Sequence, residues 1–143
     1  MQQRVLILCT GNSARSQMAE GWLRALADGQ FAVFSAGTHP STVNPLAITA
    51  MQERGIDISQ HRSKSVTEFL GQPFDYVITV CDQAAEACPI FPGPAQRLHW
   101  SFPDPAVATG TTAERLVAFR QVRDALEQQL RTWLASLGIQ PAR

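Results

Sequence analysis

The chain has 143 residues, 45% hydrophobic and 17% charged, which fits one globular domain, 1–143, with a real core and excludes a disordered chain. Twelve Lys and Arg balance twelve Asp and Glu, so no net field recruits nucleic acid or an anionic membrane. No apolar run approaches a membrane span or the core of a signal peptide, and an odd three cysteines read as reduced thiols of a cytoplasmic protein.

The first predicted element is a buried parallel strand at Val5 to Leu8, too short an apolar run for a helix. It ends in Cys9, and a small polar loop, Thr10 to Ala14, leads to Arg15. A helix follows, with Met18, Ala19, Trp22, Leu23 and Leu26 on one side. Asp28-Gly29 makes a turn into a second strand, Phe31 to Ser35, closing at Gly37. Asn44-Pro45 opens a second helix, with Asn as cap and Pro at the first position; it runs to about Arg54 and stops at Gly55. The polar segment after Asp57 holds one short helix at Val66 to Leu70. Tyr76 to Val80 is the clearest strand, rich in β-branched residues, and ends in Cys81. A proline-rich loop precedes a fourth strand at Arg97 to Trp100 and the rigid run Phe102-Pro103-Asp104-Pro105. The last element is an amphipathic helix over Thr112 to Leu137, with Leu116, Phe119, Val122, Leu126, Leu130, Trp133 and Leu137 at three- and four-residue steps.

Strands alternating with helices imply an α/β fold, a parallel sheet with helices on both faces. Ligands of such sheets bind at the carboxyl ends of the strands, and Cys9, Cys81 and Asp104 all follow strands. That convergence carries the functional argument. The loop Thr10, Gly11, Asn12, Ser13 and Ala14 can curl its N–H groups around an anion, Gly and Asn tolerating the left-handed backbone this needs. The helix N-terminus adds its positive pole, and Arg15 a planar fork for two oxygens of a tetrahedral oxyanion. A Cys9 thiolate in front of such a loop is a nucleophile aimed at the bound oxyanion. A nucleotide P-loop is excluded, since no Gly-Lys-Ser/Thr follows Gly11 at the required distance.

Other residues leave alternatives open. Ser16 can cap the helix or reach back to the Cys9 sulfur. Asp104 can donate a proton to a leaving oxygen or serve as a turn residue before Pro105. Cys81 and Cys88 match no redox or zinc spacing; on a helix from Asp82 to Ala87 their Cα atoms would stand about 10 Å apart, too far for a disulfide unless the segment loops out. They can equally be two unrelated core residues. His39, His61 and His99 read as loop, structural or surface residues. Asn12, Glu20 and Ser35 could gather behind the loop as an oxygen-rich cluster.

Together, Cys9 to Trp22, Ser35-Ala36-Gly37, Asn44-Pro45, Cys81 with Cys88-Pro89, His99-Trp100 and Asp104-Pro105-Ala106 resemble the thioredoxin-coupled arsenate reductases of the low-molecular-weight protein tyrosine phosphatase family, over about residues 4 to 135. The resemblance implies a four-stranded parallel sheet and a thiol relay. Cys9 attacks arsenate held by the loop amides and Arg15, and Asp104 protonates the departing oxygen. Cys81 then attacks Cys9, arsenite leaves, and Cys88 passes the oxidation to a Cys81–Cys88 disulfide that thioredoxin reduces. No bound cofactor is implied; phosphate or sulfate would mimic arsenate, and the protein is expected to act as a monomer in arsenic detoxification.

Two departures matter. Some relatives bind potassium behind the loop through residues matching Asn12, Glu20 and Ser35 plus an acidic residue where this chain has Lys64, so no tightly bound metal is expected. Simple phosphatases of the family carry an aromatic residue where Ala106 stands, and lack the later cysteine pair. Weak phosphatase activity is still expected. The competing readings are a plain low-molecular-weight tyrosine phosphatase, and a non-enzymatic arsenic- or redox-responsive thiol protein; the latter is disfavoured because Arg15 and Asp104 are both present.

Overall fold

The computed structural model describes residues 2–82 and 86–143. Four strands, β1 (Gln3–Cys9), β2 (Phe31–Gly37), β3 (Tyr76–Thr79) and β4 (Gln96–His99), form one parallel sheet in the order β2-β1-β3-β4. Among the described residues the three α-helices are α1 (Arg15–Ala27), α2 (Pro45–Gln52) and α3 (Thr112–Ser136). β1 is central, and its apolar side chains are buried on both faces, which is why Val5 to Leu8 reads as a continuous apolar run.

Alternation along β1 sends Val5 and Ile7 to one face and Leu6 and Leu8 to the other. All three α-helices pack on the Val5 and Ile7 face, through Met18 and Trp22 of α1, Ala50 and Met51 of α2, and Phe119, Leu126 and Leu130 of α3. Burying each such large side chain is worth about 1.5–3 kcal/mol. The opposite face is covered by the 3-10 turn Val66–Phe69 together with Phe74 and Phe91. The expected helical cover of both faces is therefore present but uneven.

Local chemistry explains the ends of the elements. The Asn44 side chain accepts from the Leu46 N–H with Pro45 at the first helical position, as the sequence predicts. α2 ends at Gln52, slightly before the predicted Arg54. α3 opens on a reciprocal capping box between Thr111 and Glu114. α1 behaves differently. Ala14 stands at its N-cap, with no side-chain cap, and Ser16 lies inside the first turn. Capping by Ser16 is thus overturned, and its hydroxyl is free to serve the loop instead.

Candidate active site

Cys9 ends β1 and pairs with Gly37 of β2, and Cys81 follows β3 by two residues, so both stand at the carboxyl end of the sheet. The loop between Cys9 and Arg15 lines a cavity of about 270 Å³, together with Ser41, Glu86, Asp104 and Ala106. Its shape follows from where its carbonyls go. Thr10 O accepts from His39 N at 2.9 Å, Gly11 O from Ser63 Oγ at 3.0 Å and Asn12 O from Gln17 Nε2 at 3.2 Å. Ser13 O accepts from Asn44 N at 2.9 Å and Ala14 O from Met18 N at 2.8 Å. Five consecutive carbonyls are tied outward, which turns the loop's N–H groups toward its centre. Asn12 supplies the left-handed turn, with φ of 45°.

A buried network fixes the Cys9 thiol from behind. The Lys64 backbone N–H donates to Asn12 Oδ1 at 2.8 Å, which identifies that atom as the acceptor and leaves Asn12 Nδ2 as the donor. Nδ2 donates to Ser16 Oγ at 2.8 Å and Ser35 Oγ at 3.0 Å. Ser16 Oγ lies 2.8 Å from Cys9 Sγ and, already accepting from Asn12, has its own hydrogen to give to the sulfur. Ser35 Oγ likewise donates onward to Glu20 Oε1 at 2.5 Å. Asn12, Ser35 and Glu20 do gather as the sequence suggests. Their donor set does not fit a resident cation. Asn12 presents its NH₂ group to the cluster, and Glu20 is already paired with Arg24 at 3.0 Å. Lys64 stands within electrostatic reach of Glu20; burial nevertheless lowers its pKa.

Arg15 is buried and donates to Phe102 O at 3.1 Å. Its other donors meet Glu86. Nη1 bonds Oε1, Nη2 bonds Oε2 at 3.0 Å, and Thr10 Oγ1 donates to the same Oε2 at 2.6 Å. The bond to Arg15, opposed by partial burial, holds the Glu86 carboxyl at a pKa of about 2. For Arg15, burial works against the charge, but Glu86 and the neighbouring Cys9 and Asp104 more than offset it, so its pKa is raised. Asp104 is a turn residue, as one of its two readings has it, and it also lies at the cavity. Oδ1 accepts from Ala106 N at 2.9 Å, capping a 3-10 turn, while Oδ2 faces Arg15 Nη2 at 3.9 Å on the cavity wall.

Cys81 and Cys88 form a disulfide with Cα atoms 5.9 Å apart, and Cys9 is free and buried. The spacing along a helix from Asp82 to Ala87 therefore does not apply in this state; the middle of that segment, 83–85, lies outside the described residues. The relation of Cys81 to Cys88 is a bonded pair and not two unrelated core residues.

A buried thiol beneath a tied loop, an arginine fork, a carboxyl on the rim and a bonded cysteine pair thus share one end of the sheet. Residues 4–142 match the family of low molecular weight phosphotyrosine protein phosphatases. The chain belongs to this family. Within it, the chain is 46% identical over 134 residues to an arsenate reductase of Halalkalibacterium halodurans, covering 93% of this chain and 96% of the relative. It superposes on a solved arsenate reductase in an oxidized state with a TM-score of 0.79 at 32% identity, covering 94% of this chain and 98% of the other. A thioredoxin-dependent arsenate reductase of Corynebacterium glutamicum is similar at a TM-score of 0.72 and 27% identity, covering 96% of this chain and 62% of that one.

The sequence missed several parts of this phosphatase-family site. Glu86 had no signal beyond its place between two cysteines. Gln17, His39, Asn44 and Ser63 hold the loop from four separate places, and only Asn44 carried a local signature. His61 is half-buried and bonded to Gln17 Oε1 at 3.0 Å, its pKa lowered mainly by burial, as a structural histidine. The ring of His99 bonds Thr79 Oγ1 at 2.6 Å, and a ring nitrogen and the sulfurs of Cys81 and Cys88 lie within 4.8 Å of one another, a proximity that the spacing in the sequence does not signal. With the two sulfurs joined, these three do not form a metal-ligand set in this redox state.

Proposed function

We propose that the protein reduces arsenate to arsenite by a three-cysteine relay re-reduced by thioredoxin. The observation that carries this reading is the oxidised Cys81–Cys88 pair at the sheet rim where a free Cys9 sits under an anion loop. A phosphatase needs only the second half of that arrangement. The similarity to arsenate reductases, one of them thioredoxin-dependent, supports it.

Arsenate would bind with its oxygens on the inward N–H groups of Thr10 to Ala14 and on the Arg15 fork. The Cys9 thiolate, receiving the Ser16 hydroxyl hydrogen, bonds to arsenic, and one oxygen leaves as water with a proton from Asp104. The Cys81 thiolate then attacks Cys9 Sγ. The sulfur–arsenic bond breaks with its electron pair staying on arsenic, arsenite departs, and a Cys9–Cys81 disulfide remains. Cys88 attacks Cys81 Sγ, returning Cys9 as a thiolate and leaving the bond seen here. The thioredoxin dithiol takes over the oxidation. No bound cofactor or metal takes part in these steps.

One chain of a single domain carries every group in this sequence, so a monomer suffices. Its place would be the cytoplasm, where thiols are kept reduced, and its role arsenic detoxification. Phosphate is nearly isosteric with arsenate, so Cys9, Arg15 and Asp104 should also hydrolyse aryl phosphates weakly. The test is arsenate-dependent NADPH consumption with thioredoxin and thioredoxin reductase, run beside aryl-phosphate hydrolysis. Turnover that needs both arsenate and thioredoxin supports the relay; hydrolysis without reduction would make the protein a phosphatase.

A further inference from the structure

Glu86 stands where an oxyanion belongs. Two oxygens of its carboxylate meet the two terminal nitrogens of Arg15, the fork that the loop offers to two oxygens of a tetrahedral ion. Thr10 Oγ1 reaches one of those oxygens at 2.6 Å, and the Asp82 backbone N–H donates to the other at 2.8 Å. The Glu86 backbone N–H returns a bond to Asp82 O at 2.9 Å, and the side chain forms part of the wall of the cavity above Cys9. The carboxyl, held at a pKa of about 2, is an anion at any physiological pH. The Cys81–Cys88 bond brackets the residue on both sides.

We propose that Glu86 is an internal oxyanion that closes the anion loop in the Cys81–Cys88 disulfide form and keeps arsenate out until that disulfide is reduced. The proposal rests on the relay set out above. At the end of the relay Cys9 is again a free nucleophile beneath an intact loop, but Cys81 and Cys88 are both oxidised. Arsenate that added to Cys9 at that moment would find no resolving thiol, and the adduct would stall. A carboxylate seated on Arg15 by the same disulfide removes that branch, so oxidised protein must meet thioredoxin before it meets arsenate. Glutamate suits the task because its planar carboxylate satisfies the guanidinium fork yet offers no centre for thiol attack.

The experiment measures inorganic phosphate binding by titration calorimetry to reduced wild type, and to the disulfide forms of wild type, Glu86→Gln and Glu86→Ala. The disulfide form of wild type is expected to bind phosphate about tenfold to a hundredfold more weakly than the disulfide form of Glu86→Ala, the scale of one net hydrogen bond to a charged group. Glu86→Gln, which keeps the shape and loses the charge, should fall between them. Iodoacetamide labelling of Cys9 should follow the same order of protection by phosphate. Equal phosphate affinity in the disulfide forms of wild type and both variants would overturn the internal oxyanion while leaving the anion loop intact. Failure of every form, reduced wild type included, to bind phosphate would overturn the loop reading and this proposal with it.

Discussion

Gly37, the last residue of β2, lies so close to Thr10 that a Cβ placed on it would stand 2.4 Å from Thr10 O and 2.8 Å from Asn12 N. Both neighbours are backbone atoms of the anion loop, and neither can rotate away. Gly37→Ala should therefore deform the loop and destabilise the fold by about 2–3 kcal/mol, the upper range for inserting a methyl group into packed structure. Thermal unfolding and phosphate titration on the reduced protein check this together. A variant of unchanged stability and unchanged phosphate affinity would show that the loop tolerates the shift.

Arg15→Lys should be far more damaging than its retained charge suggests. An ammonium cannot present two parallel donors to adjacent oxygens, and the buried position beside Phe102 O leaves no room for a compensating arrangement. The expected loss in arsenate kcat/KM is about 10²–10³, the range for removing one positioned oxyanion donor. Steady-state kinetics with saturating thioredoxin measures it, and wild-type efficiency would dismiss Arg15 as the oxyanion fork.

Asp104→Asn separates binding from chemistry. The amide oxygen can still cap Ala106 N, so the 3-10 turn should persist, while the proton donor is lost. Phosphate affinity should change little and the chemical step should slow by about 10²–10⁴. Single-turnover kinetics beside phosphate titration distinguishes this from a variant whose affinity and rate fall together.

Cys88→Ser divides a reductase from a phosphatase. If the thiols act in sequence, Cys88 is needed only after arsenite has left, so this variant should complete one turnover and stop with Cys9 bonded to Cys81. Cys81→Ser should fail one step earlier, and aryl-phosphate hydrolysis should largely survive both changes. Acid-quenched single-turnover reactions mapped by mass spectrometry give the answer. Repeated turnover by Cys88→Ser with thioredoxin would sink the relay.

The Glu86 contact also sets a pH signature for the oxidised form. Its pKa is lowered from 4.5 to about 2, so its contribution to stability is fully present above pH 4.5 and lost as pH falls through about 2. Urea midpoints of oxidised wild type and Glu86→Gln should differ by a constant amount above pH 4.5, with the gap closing below it. A gap that stays constant to pH 2 would mean that Glu86 acts through packing and not through its charge.

The sequence exposed those parts of the molecule whose signals are local. Val5 to Leu8 and Tyr76 to Val80 read as strands because burial on both faces demands unbroken apolar runs. The Leu116 to Trp133 spacing in α3 and the Asn44-Pro45 cap are likewise short-range consequences of helix geometry. Cys9 and Arg15 were visible because strand, loop and helix follow each other without interruption. Ser16 was ambiguous because a serine at a helix start has two local options, and only the position of Asn12 Nδ2 decides between them. Glu86 and His99 were hidden for another reason. Each gains its partner from a long-range meeting, Glu86 with Arg15 across 71 residues and His99 with Thr79 across neighbouring strands, which leaves no periodicity in the chain.

The five outward-tied carbonyls of Thr10 to Ala14 make the shape of this loop a property of the whole fold. Their partners come from α1, from the approach to α2, and from the segments around His39 and Ser63, so the loop cannot keep its shape if any of these detaches. By mass action, whatever fills the loop must then hold those segments together in return. Free phosphate at 100 times its Kd would add about 2.7 kcal/mol to the stability of the protein whose loop is open.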